Sequence, residues 1–106
     1  MKASEKELNM LGLCQRAGKL VSGDELVEKA LKQGKVHVLI CASDVSVKTL
    51  DRYQKYSQAY QVPLNTHFNK IQLSHAIGKS RSLCGIQDRG MAKKFLSYTT
   101  GSEETI

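Results

Sequence analysis

Tryptophan is missing from this 106-residue chain, proline occurs once, at Pro63, and aromatic residues make up only 6%. One proline leaves the chain free to form unbroken helices and strands on either side of residue 63, and it excludes a Pro-rich linker. Long hydrophobic runs are absent too. The longest, Val38 to Ala42, has five residues, whereas a membrane-spanning helix needs about 18, so no membrane partner is expected. The opening MKASEKE mixes both charge signs and has no apolar core, which argues against a secretory signal. Cysteine is scarce and odd in number: Cys14, Cys41 and Cys84 stand far apart, no C-x-x-C pair occurs, and neither a zinc site nor a redox motif has support. Cys41 lies in the apolar run and Cys84 abuts another, so both read as small buried side chains. A reducing, cytoplasmic setting fits these absences.

Acidic residues are the outnumbered sign. Ten Asp and Glu face 16 Lys and Arg, a formal charge of +6, while 41% of the chain is hydrophobic, an ordinary value for a globular protein. The excess is therefore carried by a folded surface, and a polyanion is the default partner.

The periodicity predicts alternating elements. Ser4 and Glu7 have capping-box spacing before a helix over residues 5–16, which Gly18 ends. Residues 19–22 form a short first strand. A second helix follows from Gly23, with Leu26, Val27, Ala30 and Leu31 on its inner face and Gly34 as its stop. Residues 36–42 read as a buried strand, and Ser43 or Ser46 caps a helix running to about Tyr60. A third strand over 62–68, a helix over 71–77 ended by Gly78, a strand over 83–86 and a helix over 90–96 complete the order. This predicts one α/β domain over residues 1–98, its helices covering both faces of a parallel or mixed sheet, and a polar tail over 99–106.

Three segments carry candidate chemistry. In SGDELVEK, a glycine between strand and helix allows close backbone approach to an anion, and the helix start offers free N–H groups. Asp24, Glu25, Glu28, Lys29 and Lys32 fall on its outer side, where a plain solvated helix with Glu25–Lys29 and Glu28–Lys32 pairs is the competing reading. In IGKSRS, residues 77–82, Gly-Lys-Ser suggests a phosphate loop, but that motif needs a glycine at position 73, which is Leu, and must follow a strand. What remains is a short loop whose Lys79 and Arg81, with two hydroxyls, suit phosphate and ribose contacts, or else a simple basic turn. The third helix sets Lys48, Arg52 and Lys55 along one face among Tyr53, Tyr56 and Tyr60. Base stacking and ordinary packing both fit that pattern, which leaves its cations unassigned.

Catalytic chemistry has little to rest on. His37, His67 and His75 occur singly, the carboxylates at 24, 25 and 28 each have a basic neighbour, and neither a phosphate loop nor a G-x-G-x-x-G turn is present. No enzyme activity, metal or cofactor is expected.

The order of elements, together with LGLCQRAGKLVSGDELVEKALKQGK, VHVLICASD and HAIGKSRSLCGI, resembles the L7Ae/L30e/S12e/Gadd45 superfamily, and within it the bacterial YlxQ-type, ribosomal-protein-like branch. The resemblance covers nearly the whole chain. It implies a three-layer α-β-α sandwich around a mixed four-stranded sheet, the L30e-like fold. It also implies binding to the kink-turn, an RNA internal loop whose sharp bend opens a groove that regular A-form RNA keeps closed to side chains. On this likeness Gly23 matches the family's glycine at the strand–helix junction, Glu25 stands where the family often has Asn, and Lys29 matches its lysine. Residues 77–82 match the segment covering the extruded nucleotide. Leu26 departs from the acidic residue of archaeal members, and Lys79 and Arg81 from their more apolar loop.

The implied site comprises Gly23, Asp24, Glu25, Lys29, Lys32, Lys35, Ile77, Gly78, Lys79, Ser80 and Arg81. The expected function is non-enzymatic binding of kink-turn or ribosomal RNA in association with the ribosome or translation machinery. A protein-interaction adaptor on the same fold is the alternative.

Overall fold

In a computed structural model of the chain, residues 2–99 are described. Nine elements follow one another: α1 (Ala3–Arg16), β1 (Leu20–Ser22), α2 (Asp24–Lys32), β2 (Val38–Cys41), α3 (Val47–Tyr60), β3 (Leu64–Asn65), α4 (Lys70–Ile77), β4 (Leu83–Ile86) and α5 (Arg89–Thr99). The strands form one sheet in the order β1-β4-β2-β3. β4 pairs antiparallel with both β1 and β2, and β3 lies parallel to β2, so the sheet is mixed as the family likeness implies.

Alternation along β2 shows why the sheet needs two helical layers. Val38 and Ile40 point into a core with Leu11 and Cys14 of α1, Leu73 of α4 and Phe95 of α5. Leu39 and Cys41 point the other way, toward Val27, Ala30 and Leu31 of α2 and Tyr53 of α3. Every residue of β2 is buried, and a strand apolar on both faces is stable only when both are covered. All three cysteines are buried and free. Burial pushes the thiols of Cys14 and Cys41 up to about 11 and that of Cys84 to about 12, which suits packing and not nucleophilic chemistry.

Some boundaries differ from the sequence reading. α1 begins at Ala3 with Ser4 already helical, and its N-cap, Lys2, provides no side-chain cap. Glu7 is therefore not half of a capping box. It is buried, and its Oε2 accepts hydrogen bonds from Asn65 Nδ2 at 2.8 Å and Thr99 Oγ1 at 2.7 Å, joining α1 to β3 and α5. β3 is only two residues long because the Asn65 side chain takes the N–H of His67 at 3.0 Å and turns the backbone out of the sheet. Ser46, not Ser43, caps α3 by accepting from Thr49 N–H, and Gln61, with φ 54°, ends it ahead of Pro63. α4 has the capping box that α1 lacks, between Asn69 and Gln72. α5 includes Thr99, the first residue of the expected tail, where Glu7 holds it; residues 100–106 lie outside the described residues.

Gly85, in β4, faces α2. A Cβ there would stand 2.9 Å from Val36 Cγ1 and 3.2 Å from Val21 Cγ1, both on short β-branched side chains with little room to yield. Gly85→Ala should cost about 1–3 kcal/mol and lower the thermal midpoint accordingly. An unchanged melting curve would show that this layer is looser than the distances require.

Candidate nucleic-acid interface

The sheet's topology brings the end of β1 and the start of β4 to one edge, and α2 departs from there. Gly23, at φ 95° and ψ 142°, makes the change of direction, a backbone conformation in which a side chain would be strained. Its N–H donates to Leu83 O at 2.9 Å, and its carbonyl accepts the first helical hydrogen bond from Val27 N–H at 2.9 Å. No side chain caps the helix. The amides of Asp24, Glu25 and Leu26 are thus left without intrahelical partners at the positive end of the helix dipole, a geometry that favours anions.

Around this end the side chains divide by task. Asp24 faces α3: Arg52 donates to both its carboxylate oxygens at 2.8 and 2.7 Å, and Tyr53 OH donates at 2.8 Å. The hydrogen bond from Arg52 is the main cause that holds the Asp24 carboxyl below its usual range. Asp24 is therefore a positioning residue that fixes the first turn of α2. Glu25, Leu26 and Lys29 are exposed beside it, and among the described residues Glu25 and Lys29 do not pair with each other. Leu26 was expected inside and is 59% exposed, because Val27, Ala30 and Leu31 define the buried face and Leu26 falls to its side, toward β1.

The 78–82 loop comes to the same place. Gly78, with φ 77°, ends α4. Ser74 Oγ then accepts from Arg81 N–H at 3.0 Å and donates to Arg81 O at 3.2 Å, which holds the loop to α4. Arg81 reaches across to β1, where its Nε donates to Ser22 Oγ at 3.2 Å. That nitrogen lies 3.9 Å from the point a Cβ on Gly23 would occupy. Arg81 thereby joins the helix start and the loop into one surface. A groove of about 260 Å³ runs beside them, lined by Val21, Ser22, Leu26, Lys79 and Arg81 among others.

Gly23, Asp24, Glu25, Gly78, Lys79, Ser80 and Arg81 therefore stand at one end of the sheet, with Lys29 one turn beyond Glu25, in the last turn of α2. Ile77 is buried in the core and anchors the loop without reaching the surface. Lys32 lies further along α2, paired with Glu28 at 3.0 Å. Lys35 follows the other end of α2 and lines a separate concavity with Lys19 and Arg89. The tyrosines of α3 stack edge to face on one another, Tyr53–Tyr56 and Tyr56–Tyr60, with Arg52 over the rings of Tyr53 and Tyr56. Packing accounts for that ladder, and Lys55 is engaged by Asp51 at 3.1 Å. Sequence reasoning missed the Asp24–Arg52 pair, whose members stand on different helices with no spacing pattern to link them. Among the described residues no group of three or more His, Cys, Asp or Glu side chains is arranged to hold a metal, and no helix is long and apolar enough to cross a membrane.

A sheet of this order between two helical layers, with a glycine-opened helix and a basic loop at one edge, defines a class that sequence comparison identifies. Residues 5–96 match the ribosomal protein L7Ae/L30e/S12e/Gadd45 family, and the chain belongs to that family. It is 37% identical over 90 residues to the RNA-binding protein YlxQ of Enterococcus faecium, covering 85% of this chain and 87% of the relative. It is 32% identical over 89 residues to the protein of the same name from Bacillus subtilis (strain 168), covering 83% and 89%. Among solved structures, a Bacillus halodurans C protein of unknown function superimposes with a TM-score of 0.85 at 34% identity, over 90% of this chain and 97% of the other. A Giardia lamblia 15.5kD RNA binding protein shares the fold with a TM-score of 0.80 at 16% identity, over 98% and 90%.

The Asp24–Arg52 pair has a sign that acid titration reads. Asp24 ionises at lower pH folded than unfolded, so the pair stabilises the fold fully above about pH 4, the unfolded carboxylate value, and that contribution is lost as pH falls through the lower folded one. Its side chains are 44% and 36% exposed, so the effect is small, within about 1 kcal/mol. Denaturation midpoints of wild type and Asp24→Asn should differ at neutral pH and converge below about pH 4. A gap that stays constant across this range would contradict the assignment.

Proposed function

We propose that the chain is a non-enzymatic RNA-binding protein that recognises a kink-turn or similarly bent RNA through the start of α2 and the 78–82 loop, acting in the cytoplasm in association with the ribosome or translation machinery. The observation that carries this reading is the Arg81 bridge to Ser22, which sets the open helix end and the basic loop side by side. Family membership and the two relatives named as RNA-binding proteins support it.

The division of labour follows from chemistry. Free amides at the α2 start and the cations Lys29, Lys79 and Arg81 meet phosphates, while the Glu25 carboxylate accepts from guanine N–H groups exposed where the duplex is bent. A regular A-form helix hides those base edges, so Glu25 would meet only phosphate there and repel it. The same residue that reads the bent RNA discriminates against the straight one.

Titration of a kink-turn RNA against a straight duplex of equal length tests this directly. The kinked RNA should bind more tightly, and log affinity should fall against log salt with a slope of roughly −3 to −5, for about 4 to 6 neutralised phosphates. Lys29→Ala, which removes a phosphate contact, should weaken both RNAs and make the salt slope shallower by about 1. Equal affinity for the two RNAs would refute shape recognition. Co-sedimentation with ribosomes from a lysate, abolished in Lys79→Ala/Arg81→Ala, tests the association; retention of that variant on ribosomes would remove the RNA surface from it.

A further inference from the structure

The cations at the opposite end of the sheet lie outside the surface just described. Lys19, Lys35 and Arg89, with His37 and Gln87, line a concavity of about 520 Å³. Gly18 and Gln87 line both it and the groove that holds Lys79 and Arg81, so the two concavities adjoin along β1, the edge strand of the sheet. Among the described residues no Asp or Glu lines either one. Lys19, Lys35 and Arg89 are exposed and, among the described residues, make no ion pair. Asp88, adjacent to Arg89 in the chain, is turned to α5, where its Oδ2 accepts from Met91 N–H at 2.8 Å.

These cations are mounted on a rigid frame. Gly18 and Gly34, both at φ 70°, end their helices, and the lysine after each is fixed by its own amide, Lys19 N–H to Cys14 O at 2.8 Å and Lys35 N–H to Ala30 O at 2.9 Å. Gln87 N–H donates to Lys19 O and His37 N–H to Ile86 O, both at 2.8 Å, which ties the ends of β1, β4 and β2 together. A lysine just past a helix C-terminus complements that helix's dipole, which accounts for Lys19 and Lys35 taken singly. It does not account for Arg89. This residue opens α5, at the positive end of a helix, where a cation is unfavourable, and it lines the same concavity as two lysines with no carboxylate among the described lining residues.

We infer that this pocket binds phosphodiester groups of the RNA held at the adjoining groove, so that the protein grips a bound RNA at two points along β1. The inference rests on RNA binding but not on the kinked shape. From Lys19 to Gly23 the strand rises about 13 Å, so only an RNA whose backbone runs at least that far along β1 can engage both points at once.

The experiment compares kinked and straight RNAs, each with short flanks and with flanks lengthened by a full helical turn, across a salt series. The variant Lys19→Ala/Lys35→Ala/Arg89→Ala should bind short kinked RNA as wild type does. It should bind the extended RNA roughly 10-fold or more weakly, with a salt slope shallower by about 2 as two or three phosphate contacts are lost. Lys79→Ala/Arg81→Ala should weaken both. Charge-preserving Lys19→Arg/Lys35→Arg/Arg89→Lys should restore binding of the extended RNA, which separates a lost contact from a damaged fold. An equal loss on short and extended RNAs, or no loss on either, would overturn the pocket. So would strong competition by inorganic phosphate without length dependence, which would mark a small-anion site. Equal binding of kinked and straight RNAs would refute the shape reading alone, since the length-dependent loss is read within each pair.

Discussion

Gly23 donates its N–H to Leu83 O while its own carbonyl accepts the first hydrogen bond of α2, so the last rung of the β1–β4 ladder and the first turn of the helix meet in one residue. Everything at this edge takes its position from that junction. Because β1 and β4 are antiparallel, the chain leaving β1 and the loop entering β4 lie side by side, and Arg81 can reach Ser22 only in that register, with Ser22 opposite Cys84. The Asp24–Arg52–Tyr53 cluster then fixes the helix from the far side, against α3. A helix start held by sheet and neighbouring helix has free amides without freedom to move, and such preorganisation lowers the entropic cost of binding an anion there.

The net charge of +6 acquires a geography. Some cations pair with the protein's own carboxylates: Arg52 with Asp24, Lys55 with Asp51, Lys32 with Glu28. Among the described residues, the cations left without an ion pair include those along the β1 edge, at Lys79 and Arg81 on one side and Lys19, Lys35 and Arg89 on the other. A binding surface distinguished by what its cations do not pair with is a more specific statement than an overall basic excess, because an unpaired cation at a concave surface keeps its full attraction for phosphate.

Much of this was legible in the chain itself, because strong patterns have local causes. Four buried residues in β2, the glycine stops at 18, 34 and 78, and the Gly23 junction all follow from neighbours within a few positions. What was not legible depends on distant partners. Glu7 has the spacing of a capping residue but is claimed by Asn65 and Thr99, which only the folded sheet brings near. Asp24 reads as a surface carboxylate until α3 sets Arg52 against it. Leu26 has the helical spacing of a core residue, yet the folded helix covers Val27, Ala30 and Leu31 and leaves Leu26 exposed. Lys35 illustrates the same limit for the site: adjacent in sequence to the α2 cations, it belongs spatially with Lys19 and Arg89.

Backbone amide chemical shifts followed by NMR during titration with a kink-turn RNA test the central claim most directly, since they locate contact without altering a residue. The account requires the largest changes at Gly23, Glu25 and Leu26 and at Lys79 to Arg81, rising together with one affinity because the two segments form one surface. Changes confined to the tyrosine face of α3 or to the outer faces of α1 and α4, with the Gly23 junction unmoved, would contradict it.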